Sequence, residues 1–293
     1  MGSWIAAVVV VLAVVGGGAF LAYKIMHADQ TTPLAPATAA PAATSSAIIP
    51  IQHPITQVQA TPASASTAAL PALDESDADV TAALERLAAN SELSSLLVRP
   101  QVIARIVASI DAMPGRSLGG FMLPARTPKG EFVTRDVDGN TVLGEDNAAR
   151  YVPYMQVIEQ VDPQALVSWY VHAYPLFQQA YRQLGYPKGY FNDRLIAVID
   201  NLLAAPQPDQ APALQRSNKG YYVYADPAVE ALSSGQRLLL RTGSANEAKI
   251  KAKLRAIRSL LIGQHLQPPV PATASRPANA RAHRARRHGS TSR

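Results

Sequence analysis

This sequence predicts a mainly α-helical fold: a single helical domain with two small β-hairpins, preceded by a transmembrane helix and a disordered linker. Three observations carry that expectation. An uncharged run of nineteen residues, Ile5 to Tyr23, stands near the N-terminus. A stretch dominated by Ala, Pro, Thr and Ser follows it as far as Pro71. Beyond Leu73 apolar residues recur at helical spacing in one segment after another, with only two glycine-centred hairpin signals among them.

At 1.5 Å per residue the uncharged run spans roughly 28 Å, close to the ~30 Å hydrocarbon core of a bilayer. Trp4 and Tyr23 stand at its ends, where amphipathic aromatics favour the interface, and Lys24 follows. A cleaved signal peptide fits less well, because Lys and Arg are missing before the run and the run exceeds an ordinary h-region. Residues 4–24 are therefore expected to be a single transmembrane helix. Residues 28–71 contain one formal charge, Asp29, and too few apolar side chains to bury a core. They are expected to be a disordered linker, reaching on the order of 130 Å if fully extended.

The globular domain is expected over 73–264. Ser76-x-x-Asp79 has the shape of a capping box, and Val80, Ala83, Leu84, Leu87 and Ala88 follow at helical period. A short helix around 91–98 precedes one that starts at Pro100, with Val102, Ile103, Ile106, Val107 and Ile110 inward. Prolines and glycines make 113–130 a loop. Asp138-Gly139 between apolar flanks signals the first hairpin. A helix over 146–160 is expected to bend or restart at Pro153. Asp162-Pro163 then caps a long helix whose Leu166, Tyr170, Tyr174, Phe177 and Tyr181 form one stripe. After Gly185, Asn192 or Asp193 is expected to open a helix with Leu195, Ile196, Ile199, Leu202 and Leu203 on one face. A second hairpin surrounds Asn218-Lys219-Gly220. Asp226-Pro227 should start a helix running to Leu240, and Ser244-x-x-Glu247 should cap the last one, with Ile250, Leu254, Ile257 and Leu261 inside.

Charge is as unevenly placed as hydropathy. The chain of 293 residues has 27 Lys and Arg against 21 Asp and Glu. Setting aside the six tail arginines, Lys24 and Asp29 leaves twenty charges of each sign, so the folded part is neutral. The net +6 belongs to a tail, 266–293, expected from composition to be disordered, whose Arg281, Arg284, Arg286 and Arg287 suit an anionic lipid or polyanion. A basic isoelectric point of this origin gives no reason to expect sequence-specific nucleic-acid binding. Cysteine is absent, which excludes disulfides, thiolate catalysis and cysteine-held zinc.

No catalytic constellation stands out, and no cofactor or metal is expected. Gly115-Arg-Ser117-Leu-Gly119 matches a nucleophile elbow in letters only, since it follows a helix and lacks a parallel-sheet context. Asp136-x-Asp138-x-Asn140 has the first spacing of a calcium loop, but Thr141 and Asn147 occupy its required Gly and Glu positions. His172 has no partner of ligand type nearby in sequence.

The aromatic–polar cluster is the strongest binding candidate. Seven of the eleven tyrosines lie between Tyr151 and Tyr190. Tyr174, Tyr181, Tyr186, Tyr190, Phe191, Asn192, Asp193 and Arg194 combine rigid aromatic area with hydrogen-bonding tips, a composition favoured in recognition sites. The competing reading gives the rings to the core, Asn192 to the helix cap, Asp193 to the helix dipole and Arg194 to a local ion pair.

The block Tyr174-Pro-Leu-Phe-Gln-Gln-Ala-Tyr-Arg-Gln-Leu-Gly-Tyr-Pro-Lys-Gly-Tyr-Phe-Asn-Asp-Arg194 resembles the most recognisable segment of the bacterial domain of unknown function 3014 family. Leu73-Asp-Glu-Ser-Asp77, the run from Asp226 to Gln236 and the run from Lys251 to Arg258 are similar to it as well. The resemblance implies a membrane segment, a proline-rich spacer and this domain, with no assigned activity. The resulting expectation is a non-enzymatic binding or scaffolding domain at the bacterial inner membrane, facing the periplasm and meeting an envelope protein or glycan. An envelope hydrolase with an unrecognised active site and a cytoplasm-facing adaptor with a basic tail are the competing functions.

Overall fold

The computed structural model describes residues 50–58, 69–88, 93–118 and 123–263. Nine helices occur among them: α1 (Asp77–Leu87), α2 (Leu93–Leu96), α3 (Val102–Ala112), α4 (Val152–Gln160), α5 (Pro163–Gln183), α6 (Phe191–Leu203), α7 (Pro227–Glu230), α8 (Ser234–Thr242) and α9 (Ser244–Leu261). Two antiparallel hairpins, β1 (Thr134–Val137) with β2 (Asn140–Leu143) and β3 (Leu214–Arg216) with β4 (Tyr222–Tyr224), complete the mainly helical fold. The expected transmembrane span 4–24 and arginine tail 266–293 lie outside the described residues. Among the described residues no helix is long and apolar enough to cross a membrane.

The core is a bundle in which α5 and α6 each pack against α3 and α9. Its material is the periodic aliphatics: Ile103, Ile106 and Val107 from α3, Leu195, Ile196 and Ile199 from α6, and Ile250, Leu254 and Ile257 from α9 are all buried. Each such side chain contributes roughly 1.5–3 kcal/mol through burial. The stripe Leu166, Tyr170, Tyr174, Phe177, Tyr181 of α5 is buried in full. The Asp162 side chain accepts from the backbone of Gln164 and Ala165, the cap that its sequence promised. At the first hairpin Asp138 (φ 51°) and Gly139 (φ 78°) both take left-handed backbone, the requirement of a two-residue turn between these strands. Val142 bridges Ala213, so the two hairpins touch; Leu214 and Tyr224 of the second hairpin and Leu240 of α8 form a small second core, with Leu143 of the first hairpin packed against it.

Several helix starts differ from expectation, and each has a local reason. Ser76 does not cap α1; its hydroxyl donates to the Leu73 carbonyl. The helix expected from Pro100 begins at Val102, after Gln101 turns left-handed (φ 57°). Residues 145–151 wind as a 3-10 segment, and the α-helix restarts at Val152, where Pro153 occupies the first turn. The helix expected from Asp226 to Leu240 is two helices, because Ser233 and Gln236 form a reciprocal capping box that begins α8 afresh. The glycine-rich loop after α3 seats that beginning: Ser234 and Gly235 N–H groups donate to the Gly115 and Met113 carbonyls at 2.8 and 3.0 Å. Ser244 is not a cap; Gly243 (φ 89°) holds that position without a side chain to offer.

The larger departure is upstream. Residues 50–58 fall within the stretch 28–71 expected as a disordered linker, yet they lie against the domain. Pro54 leads into a 3-10 turn, Ile55–Gln57, and Ile55 and Val58 pack on the main core. The compositional argument averages over some forty residues and overlooks a nine-residue piece with its own apolar contacts.

Candidate functional site

The site is organised from beneath by a buried glutamine. Gln178 sits on the aromatic face of α5, one turn after Tyr174. Its Oε1 accepts from the Phe191 backbone N–H at 2.9 Å and from the Tyr174 hydroxyl at 2.7 Å. Its Nε2 donates to the Gly189 carbonyl at 2.8 Å. One side chain therefore ties the turn before α6 to the middle of α5. Gly189 is needed at that turn, since a Cβ there would stand 2.7 Å from the Tyr181 ring. Phe191, fully buried, stacks on Phe177 with centroids 5.7 Å apart. Tyr170, Tyr174 and Tyr190 continue the ring cluster towards the surface at 5.6–5.7 Å spacings.

On this platform the first turn of α6 meets residues 50–58, here called the strap. The Asp193 carboxylate accepts two consecutive backbone N–H groups, from Gln52 at 3.0 Å and from His53 at 2.7 Å. Asn192 donates its amide to the His53 carbonyl at 2.8 Å. The Tyr190 hydroxyl accepts from the Ile55 N–H at 2.7 Å. Pro54, between those donors, has no N–H to satisfy. All four contacts are to main-chain groups of the strap, a grip that does not depend on the strap's side chains. Asn192 is consequently not a helix cap: it is buried inside α6, accepting from the Tyr170 hydroxyl at 3.3 Å. Tyr190 is the residue before the helix and caps with no side chain.

The eight residues of the sequence-derived cluster thus divide into three groups. Tyr190, Asn192 and Asp193 meet the strap. Tyr174 and Phe191 lie below them in the core. Tyr181, Tyr186 and Arg194 turn to a third place, the end of α3. There Arg194 Nε donates to the Asp111 carboxylate at 2.7 Å and its Nη2 to the Asp111 carbonyl at 2.6 Å, while the Tyr186 hydroxyl reaches Asp111 at 3.0 Å. Tyr186 stacks on Tyr181 at 4.6 Å. Arg194 is a tie between α6 and α3.

Burial holds the Tyr170 phenol well above its ordinary range, and Tyr174 is raised by burial and then by its hydrogen bond with Tyr190. The Tyr186 phenol is raised by its hydrogen bond to Asp111. These three hydroxyls donate to Asn192, Gln178 and Asp111, so they hold the platform together.

Three contributors escaped the sequence reading: Gln178, Asp111 and the strap. A polar residue inside an otherwise apolar helical stripe marks Gln178. Nothing in sequence links Asp111 or Gln52 to positions some 80 or 140 residues away.

A second concavity of about 870 Å³ lies between the first hairpin, the 208–213 loop and the junction of α8 with α9. Arg135 and Glu145 pair across its rim at 3.1 Å. Glu247, at its base, is buried against Lys251 at 2.8 Å, and Lys251 donates onward to the Ala205 carbonyl. Burial raises the Glu247 carboxyl, with Lys251 opposing that rise. Asp136, which has calcium-loop spacing to Asp138, accepts from the Gly139 N–H at 3.1 Å within the hairpin turn.

The fold and site define a small helical domain that grips a bent, proline-containing segment through main-chain hydrogen bonds. A family model described as "Protein of unknown function (DUF3014)" matches residues 102–258, more than half of the chain, and the chain belongs to that family. The match includes the whole of the α5–α6 platform and ends before the C-terminus of α9. No curated protein matches the chain, and no solved structure does.

Proposed function

We propose that this chain is a single-pass protein of the bacterial inner membrane whose globular part is a non-enzymatic binding or scaffolding domain, held in the periplasm by its linker. The observation that supports a binding role is the set of main-chain hydrogen bonds at Tyr190, Asn192 and Asp193. Two donor-accepting side chains and one donating amide converge on peptide groups, the equipment of capture. The uncharged run 5–23 supports the anchor, and the length and neutrality of the linker support the envelope placement. The partner in this reading is another envelope polypeptide, with the tail arginines available to anionic lipid or glycan.

Incorporating a photo-cross-linking residue at Ile51, exposed at the edge of the site, tests the binding role in intact cells. A discrete adduct with a second polypeptide is expected, and only self-adducts would remove the scaffolding reading. Alkaline phosphatase fused after Gln264 should be active on export; activity confined to the cytoplasm would overturn the periplasmic placement and favour the adaptor facing inward.

A further inference from the structure

We infer that the first turn of α6 is a site for bent, proline-containing peptide segments, and that the chain's own residues 50–58 occupy it as a displaceable internal ligand. The inference rests on the binding-domain reading and adds the ligand class and its gating.

The strap's contacts specify what the site takes. Asp193 needs N–H groups on the two residues before the proline, and Tyr190 needs one on the residue after it. Asn192 needs the carbonyl immediately preceding the proline. Side-chain selectivity falls on two positions, Ile55 and Val58, the aliphatics one and four places after Pro54. The preferred ligand therefore reads as two residues with free N–H groups, proline, aliphatic, any two residues, aliphatic, bent at the two residues before the proline and turning again after it. Gly263 makes room for the turn: a Cβ there would stand 2.8 Å from the Gln57 carbonyl.

Displaceability follows from burial. No residue of the strap's 3-10 turn is buried, and Gln52 and Ile51 are exposed. The grip is four hydrogen bonds and two partly buried aliphatics. Such a segment is retained because it is tethered: joined to the domain through residues 59–68, it faces its site at an effective concentration in the millimolar range. An outside segment of the same pattern must compete with that concentration, so its apparent affinity falls by the fraction of time the site is open.

A labelled peptide of residues 50–58 added to the full chain tests this. Two strap variants open the site: Ile55→Asp with Val58→Asp, and separately His53→Pro, which deletes one gripped N–H and leaves the aliphatics. Amide exchange at Gln52 and Ile55 reports the opening. The peptide should bind either opened chain at least tenfold more tightly than wild type. Methylating the peptide's Ile55 amide nitrogen, or adding Asp193→Asn to the opened chain, should abolish that gain. The inference is overturned if the opened chains bind no peptide, if the N-methylated peptide binds equally, or if the strap amides stay protected in both variants, which would make residues 50–58 an integral part of the fold. Envelope adducts through Ile51 that persist beside a failed peptide assay would leave the binding role standing and remove only this inference.

Discussion

Two aspartates in this molecule make the same contact with opposite consequences. Asp77, in the first turn of α1, accepts the consecutive N–H groups of Gln101 and Val102 at 2.7 and 2.8 Å. Asp193, in the first turn of α6, accepts those of Gln52 and His53 at 3.0 and 2.7 Å. In the first case the donors begin α3, whose Val102 and Ile103 are fully buried, so the carboxylate caps a helix that the core already holds. In the second the donors belong to a segment with no fully buried side chain. The chemistry is one device, a carboxylate bridging two peptide groups. The apolar surface behind the donors decides whether it is a fixed brace or a releasable clasp.

The largest disturbance unfolds the domain that carries both. Tyr154 and Tyr224 are pushed up to about 12 by burial, and Tyr151, Tyr170 and Tyr174 are raised by the same cause. A folded phenol pKa above its unfolded value contributes stability that is whole below pH 10 and is lost as pH rises towards the folded value. Raising the pH from 10 to 12 should therefore unfold the domain in one cooperative step. Tyrosinate absorbance should climb together with the loss of helical circular dichroism. Most tyrosinate forming while the helices persist would contradict the burial of these rings. Next in size is Gln178→Leu, which strands the Phe191 N–H and the Gly189 carbonyl in the interior. A loss of about 3 kcal/mol is expected, measurable by urea unfolding, with the strap released as well because Tyr190 loses its footing.

Asp77→Ala sharpens the comparison from the structural side. Two charge-assisted bonds at the start of α3 are lost in a half-exposed setting, so stability should fall by about 2 kcal/mol while strap amides keep their relative protection. An equal loss of strap protection would mean that the two aspartates are coupled through the fold.

The contrast between the two aspartates also separates what was legible in the sequence from what was not. Helical period exposed the core of α3, α5, α6 and α9, because burial of one face imposes that period directly. Asp162-Pro163 and Asp138-Gly139 were readable because their partners lie within three residues. Asp77 and Asn192 were assigned wrongly or passed over because their partners lie 25 and 139 residues away. The cluster Tyr190–Asn192–Asp193 stood out through its composition, and its grouping with Arg194 did not survive, since adjacent residues at a helix start point in different directions. The strap was hidden by the surrounding Ala, Pro, Thr and Ser. Its main-chain groups carry the interaction, and a main chain leaves no mark on composition.

Asp193→Asn is the smallest and most discriminating change. Two consecutive N–H donors need two acceptor atoms, and an asparagine amide supplies one acceptor and sets its own NH₂ against the other donor. The strap should lose at least about 1.5 kcal/mol of local stability, enough to speed amide exchange at Gln52 or His53 about tenfold. Global unfolding should fall by no more than the same amount, since the domain's buried surface is untouched and only the strap's closing free energy is at stake. What distinguishes a clasp from a brace is the free energy at which the gripped amides open, set against that of the core amides. The α3 amides held by Asp77 should open only with the core. The strap amides held by Asp193 should open well below the global free energy, and opening only together with the core would place residues 50–58 among the structural elements of the domain.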